Sequence, residues 1–245
     1  MILSGHIISS DHQQIAYDLY QNNHEKVIVI AHGFFNSKEA VLLKQLAHSL
    51  NDQYDIILFD FRGHGKSQGL FYWTSKEYLD LLGILGLAKQ KYRKIGLIGL
   101  SLGAATSLIT ATKTTSIDSI ISISAPANFS KIEYHFWNFN IKNDLIFNIF
   151  GQGKIGKGVR PGPFWHKKEK PGEIVGKIQT PIFFIHGDAD WVISDGHSKE
   201  LYNNTTSLKR IRIIESGPHA DYLFLEHQAE MLHLIREWFQ ETLRL

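Results

Sequence analysis

The sequence predicts an α/β fold: helices flanking a mostly parallel, eight-stranded sheet, with one short cap insertion. Three observations predict it. Eight runs of strand length are apolar or alternate with period two. Helix-like segments separate most of them, so strands and helices alternate almost throughout. Several runs, "KVIVIAHG" (26–33) above all, are continuously apolar, as in a strand buried on both faces. At 245 residues the chain is long enough for one large domain, expected over 1–245.

The elements follow in order. "GHIIS" and "QIAYDLY" flank the polar turn "SDHQ" and predict an opening β-hairpin. The strand in "KVIVIAHG" precedes "SKEAVLLKQLAHSL" (37–50), whose apolar spacing is helical, with Ser37 as its cap. "DIILFDFRG" (55–63) is a strand. The helix at 74–92 has Thr74 and Glu77 in capping-box spacing. "KIGLIGL" and "DSIISISAP" are strands separated by a helix over 102–113. "TPIFFIHGD" (180–188) and "LKRIRIIESG" (208–217) are strands, and the segment from Asp221 onward predicts one long amphipathic helix.

Residues 128–177 break this rhythm. Nine aromatics fall in these fifty residues, above the chain's 12% average, followed by a stretch rich in Gly, Lys and Pro. The segment is too short for a domain of its own and too long for a plain loop. It reads as an insertion forming a cap or lid, with an ordinary helix and surface loop as the alternative.

Composition narrows the function. The formal net charge is +2 with no long basic run, so no nucleic-acid partner is expected. There is no cysteine, which rules out disulfides and thiolate metal sites. The first twenty residues lack the charge and apolar run of a secretory leader, and no apolar run approaches the ~18 residues of a membrane span. The expectation is a cytoplasmic protein without stable membrane insertion.

Ligands of open parallel sheets bind at the carboxyl ends of the strands. The segments after the predicted strands are "HGFFN", "DFRGHGKS", "GLSLGA", "HGDAD" and "ESGPHADY". Serine, aspartate and histidine therefore share one sheet edge, on different connections and in that chain order. Gly-X-Ser-X-Gly around Ser101 is weak by itself, since it also fits a glycine-rich corner. A strand before it and small residues after it make it a candidate nucleophile turn. Asp188, Asp190, Asp195 and Asp221 are all candidate acids, and His219 is one of thirteen histidines.

Five motifs in this order resemble the α/β-hydrolase superfamily in its serine esterase/lipase branch. They are "HGFF", "DFRGHGKS", "GLSLG", "HGDADWV" and "GPH", spanning residues 32–219. The resemblance implies Ser101 as nucleophile, His219 as general base and Asp190 as its partner, because Gly187, Asp190 and Val192 match the family's Gly-X-X-Asp followed by Val. It implies an oxyanion hole from the backbone N–H groups of Phe34, with Phe35 as alternative, and Leu102. His32 and Gly33 resemble the structural pair before that loop, and His64 matches a structural position. The looser similarity is to monoacylglycerol-lipase-like and cinnamoyl-esterase-like enzymes. The aromatic residues Phe35, Phe136, Trp137 and Trp191 then stand as candidate contacts for an apolar or aromatic acyl group. A small-molecule ester is the expected partner, and no cofactor or metal is required.

Other readings share these residues. An aminopeptidase or a carbon–carbon hydrolase would use the same triad, and a non-catalytic receptor could keep it. A lipid-surface protein could dock through Phe136 and Trp137. "GQGKIG" (151–156) has dinucleotide-site spacing, but "KGVRPGPF" follows, and its prolines oppose the helix such a site needs. "DADWVISDG" has calcium-like acid spacing without the closing Glu.

Overall fold

A computed structural model describes residues 1–131 and 159–244. All eight predicted strands form: β1 (Ile2–Ile8), β2 (Gln14–Tyr20), β3 (Lys26–Ala31), β4 (Asp55–Phe59), β5 (Lys94–Leu100), β6 (Ser119–Ile123), β7 (Ile182–Gly187) and β8 (Lys209–Ile214). They make one sheet in the order β1-β2-β4-β3-β5-β6-β7-β8. The β1–β2 and β2–β4 pairs are antiparallel, and every pair from β4 to β8 is parallel.

Strand composition follows sheet position. The inner strands β4, β6 and β7 are buried at every residue, which is why their sequences run apolar without alternation. The outermost strands β1 and β8 are partly exposed, and β8 carries Lys209, Arg210 and Arg212, charges that discourage edge pairing.

Helices cover both faces. Val27, Val29 and Ala31 of β3 face Leu81, Ile84 and Leu85 of α2 (Glu77–Lys89) and Ala104 and Leu108 of α3 (Leu102–Ala111). Ile28 and Ile30 face the opposite layer, built from α1 (Val41–Leu50), α5 (Asp221–Glu226) and α6 (Gln228–Thr242). The period-two alternation of strand side chains thus feeds two cores from one strand. A further helix, α4 (Gly196–Asn204), lies in the first layer through Leu201. It carries few apolar residues and its periodicity does not announce it. No helix among the described residues is long and apolar enough to cross a membrane.

Three local expectations are corrected. The first helix begins at Val41, and Ala40, not Ser37, holds the cap position, without a side-chain bond. The capping box at Thr74 does not form. Trp73 and Thr74 take φ of 58° and 76°, so Thr74 is turned out of the helical path, and α2 starts at Glu77. The Glu77 carboxylate still reaches back, accepting the Tyr72 N–H at 2.6 Å and the Lys76 N–H at 3.3 Å. The last helix is two: His227 (φ −120°, ψ 37°) breaks it, so that Leu223 and Phe224 of α5 and Met231, Ile235 and Trp238 of α6 all reach the same core.

The return leg of the 128–177 segment is tied to the loop after β4. Phe71 and Pro161 form a bridge, with Phe71 N–H to the Arg160 carbonyl at 2.9 Å and Gly162 N–H to the Phe71 carbonyl at 2.8 Å. The Arg160 guanidinium donates to the Ser67 carbonyl. Residues Phe136 and Trp137 and the "GQGKIG" segment lie outside the described residues.

Candidate active site

The site is built where β5 meets α3. Ser101 joins the two with φ 52° and ψ −114°, a conformation costly for any residue with a Cβ. It is held there from both sides: its N–H donates to the Ile123 carbonyl at 2.8 Å and its carbonyl accepts from Ala105 at 3.1 Å. The flanking glycines are required by contact. A Cβ on Gly103 would lie 2.2 Å from the Ala31 carbonyl oxygen, and one on Gly99 2.5 Å from the Ala104 Cα. The small residues opening α3 therefore let the helix sit against β3 and β5, with Ser101 at its entrance.

His219 reaches Ser101 from the loop after β8. Its Nε2 lies 2.9 Å from Ser101 Oγ, and its Nδ1 lies 2.6 Å from Asp190 Oδ2. Since Asp190 only accepts, Nδ1 carries the proton and Nε2 is free to accept the serine O–H. The Asp190 side chain is fully buried on the loop after β7, and its Oδ1 accepts the N–H groups of Val192 at 2.9 Å and Ile193 at 2.8 Å. Burial alone would push this carboxyl up. The charges and hydrogen bonds of His219 and His186 outweigh it and hold Asp190 well below the usual carboxylate range. Of the four candidate aspartates, the structure thus places Asp190 on the histidine. Asp195 pairs with Lys199 at 2.6 Å, and Asp221 accepts from Asn36 at 3.0 Å. Asp188 is exposed.

The loops carrying these groups are locked to each other. A Cβ on Gly187 would lie 2.0 Å from the Gly217 carbonyl oxygen, and Ala189 N–H donates to that carbonyl at 3.1 Å. The acid and histidine loops therefore touch backbone to backbone. The buried Asn36–Asp221 bond ties the loop after β3 to the start of α5.

The loop after β3 carries Phe34 and Phe35. The backbone N–H groups of Phe34 and Leu102 have no hydrogen-bond partner among the described residues. The Phe34 ring packs 4.0 Å from Phe35, 5.3 Å from Phe71 and 5.3 Å from Trp73. Trp191 lies 6.5 Å from the His219 ring. Phe34, Phe35, Phe71 and Trp73 thus form one aromatic cluster next in the chain to Gly33, where an added Cβ would lie 3.5 Å from Ser101 Cβ, and Trp191 stands by His219. Phe71 and Trp73 are additions to the residues expected from sequence, since their place beside Phe34 depends on the fold of the 60–74 loop.

His64 of that loop packs against Phe71 and against His32, and both histidines are fully buried. His32 Nδ1–H donates to the Gly33 carbonyl at 2.7 Å while its Nε2 accepts the Phe61 N–H at 3.0 Å, an arrangement only the neutral ring can make. Burial pushes His32 down to about 3 and His64 down to about 4. The unfolded chain therefore takes up protons that the folded chain refuses, so this contribution to stability is lost as pH falls from about 6.5. Asp60, pushed up to about 6 by burial, acts with the opposite sign. Comparing wild type with His32→Gln isolates the histidine. Unfolding free energies from urea titrations between pH 6 and 4.5 are expected to fall more steeply for wild type, by about 1.4 kcal/mol per pH unit. Equal slopes would refute the assignment.

His186 is the site residue that sequence reasoning missed. It is buried within β7, four residues before Asp190, and its Nε2 lies 3.1 Å from Asp190 Oδ2. The i,i+4 spacing across a strand end gave no sign of this contact.

Comparison with known proteins agrees with the architecture. A family model described as alpha/beta hydrolase fold matches residues 26–140, and one described as BAAT / Acyl-CoA thioester hydrolase C terminal matches residues 84–212. The chain is 28% identical over 225 residues to the uncharacterized protein YqkD of Bacillus subtilis (strain 168), covering 83% of this chain and 68% of that one. The structure is similar to the Pyrococcus furiosus esterase Pf2001, with TM-score 0.80, 21% identity, and 99% and 91% of the two chains covered. It is also similar to Est1E from Butyrivibrio proteoclasticus, solved with ferulic acid, with TM-score 0.71, 19% identity, and 97% and 98% covered. The thioester-hydrolase model by itself takes in more than half of the chain, so the chain belongs to that family, within the α/β-hydrolase superfamily to which its sheet and serine turn assign it.

Proposed function

We propose that this protein is a serine hydrolase that cleaves carboxylic esters through Ser101, His219 and Asp190. The observation that carries the reading is the continuous hydrogen-bond chain from Ser101 Oγ through both nitrogens of His219 to the buried Asp190 carboxylate. Ser101 Oγ attacks the ester carbonyl carbon as its proton passes to His219 Nε2. Asp190 steadies the imidazolium that results. The backbone N–H groups of Phe34 and Leu102 receive the negative carbonyl oxygen. His219 returns the proton to the departing alkoxide, leaving an acyl group on Ser101. Water then repeats the sequence in place of serine and releases the acid, so the reaction balances with water alone.

The aromatic cluster of Phe34, Phe35, Phe71 and Trp73, with Trp191 by His219, supports an apolar or aromatic acyl group, and the 128–177 segment is proposed as its cap. Two measurements test the reading. A fluorophosphonate probe should label the folded protein at Ser101. A panel of p-nitrophenyl esters, with a feruloyl ester added, should show kcat/KM rising from acetyl to larger acyl groups. No labelling together with no turnover would refute the proposal, and a preference for acetyl would refute the pocket.

The thioester-hydrolase family match favours a second reading, in which the scissile bond is a thioester. The same residues would act on it, with a thiolate leaving in place of an alkoxide. Acyl-CoA substrates assayed beside oxygen esters of the same acyl group separate the two.

A further inference from the structure

His186 makes more contacts than core packing calls for. Its ring is fully buried. Nε2 lies 2.7 Å from the Ile193 carbonyl oxygen and 3.1 Å from Asp190 Oδ2. Both of these atoms can only accept, so Nε2 carries the proton. Nδ1, 2.7 Å from the Ser198 hydroxyl, then accepts the serine O–H. Ser198 is itself fully buried on α4. The tautomer is thereby set from a helix on the far side of the ring from the site.

Asp190 thus accepts from Val192 and Ile193 N–H on Oδ1 and from His219 on Oδ2, while His186 Nε2, whose N–H is directed to the Ile193 carbonyl, lies 3.1 Å from that same Oδ2. The two backbone donors fix where the carboxylate sits. His186 acts on the same oxygen that faces His219, and it also closes the 187–193 loop through the Ile193 carbonyl. Among the described residues, the titratable groups facing Asp190 are His186 and His219. Facing His186 are Asp190 and the uncharged Ser198.

We infer that His186, oriented by Ser198, is a positioning residue that aims Asp190 Oδ2 at His219 and sets how strongly Asp190 draws the His219 proton. The inference rests on the catalytic reading above. Removing His186 opens the Ile193 carbonyl contact that closes the loop and takes the positive end of its N–H away from Oδ2, which favours protonated His219. The base then becomes available only at higher pH, and its aim on Ser101 loosens. His186, Ser198 and the Asp190 carboxylate are buried behind His219, so KM should hold while kcat falls.

Two amides of different reach test this. In His186→Gln the side-chain amide nitrogen reaches the place of Nε2, opposite Asp190. In His186→Asn it reaches only the place of Nδ1, opposite Ser198. The end point of fluorophosphonate labelling counts competent sites, so kcat is read per site and any loss of folded protein is divided out. His186→Asn is expected to lower kcat per site about 10- to 100-fold, with KM unchanged and the rising limb of kcat/KM moved to higher pH. His186→Gln is expected to recover most of the loss and the limb. Ser198→Ala deletes one hydroxyl and should give a smaller fall in the same direction, which keeps the test open if His186→Asn does not fold. Wild-type kcat per site and an unmoved limb in Ser198→Ala and in any folded His186→Asn would overturn the inference, as would equal defects in the Asn and Gln variants. An unlabelled, inactive wild type would instead refute the catalytic reading, and the role of His186 would fall with it.

Discussion

Ser101→Ala is expected to lower kcat for a p-nitrophenyl ester by about 10⁴-fold or more and to abolish fluorophosphonate labelling. The size follows from the chemistry. Removing Oγ deletes the only atom that bonds to the substrate carbon, while the proposed oxyanion donors, Phe34 and Leu102 N–H, remain to bind it. The residual rate is therefore that of oriented water. The fold should be untouched, because alanine keeps the Cβ and meets the same strained φ of 52° that serine already tolerates. A thermal midpoint measured beside the kinetics shows whether the loss is chemical. Wild-type turnover in this variant would end the proposed mechanism.

Asp190→Asn is expected to cost about 10⁴-fold in kcat near neutral pH. The amide can keep its oxygen on the Val192 and Ile193 N–H groups, so the loop has reason to stay in place. Its NH₂ group would then face His219 Nδ1, 2.6 Å away in the native site, where a donor must meet an acceptor. His219 responds by carrying its proton on Nε2, which presents a hydrogen to Ser101 Oγ in place of a lone pair. The same NH₂ would face the His186 N–H, so this buried contact becomes donor against donor as well. The variant should combine a large fall in kcat with a lower urea midpoint, and activity should recover in part at high pH as hydroxide substitutes for the base. If Asp190→Asn keeps full activity at pH 7 while Asp188→Asn or Asp221→Asn loses it, the acid has been misassigned.

Much of this architecture was legible in the chain. Apolar runs such as those at β3, β5 and β7 can be buried only inside a sheet covered on both faces, and the helices between them force most neighbours to be parallel. The glycines at 99 and 103 were legible as a tight turn because their neighbours are a strand and a small-residue helix. Local detail was less so. Ser37 and Thr74 carry the side chains that cap helices, yet neither does, because the loops leading into α1 and α2 approach at angles that loop contacts set. The break at His227 is invisible in an amphipathic pattern that runs on through it.

By itself the sequence determined the strand and helix order, the strained serine turn, and the gathering of serine, aspartate and histidine at one sheet edge. These follow from short-range rules of periodicity, turn geometry and strand direction. Only the tertiary structure decided which of four aspartates meets His219, that Asn36 is bonded to Asp221, and that His186 and Ser198 stand behind Asp190. Those contacts are made through space. His219 and Ser101 are 118 positions apart and Asn36 and Asp221 are 185, and no pattern along the chain encodes an ångström-scale distance across it. The packing of β7 against β8, close enough that Gly187 and Gly217 admit no side chain between them, is what brings the acid and the histidine to 2.6 Å.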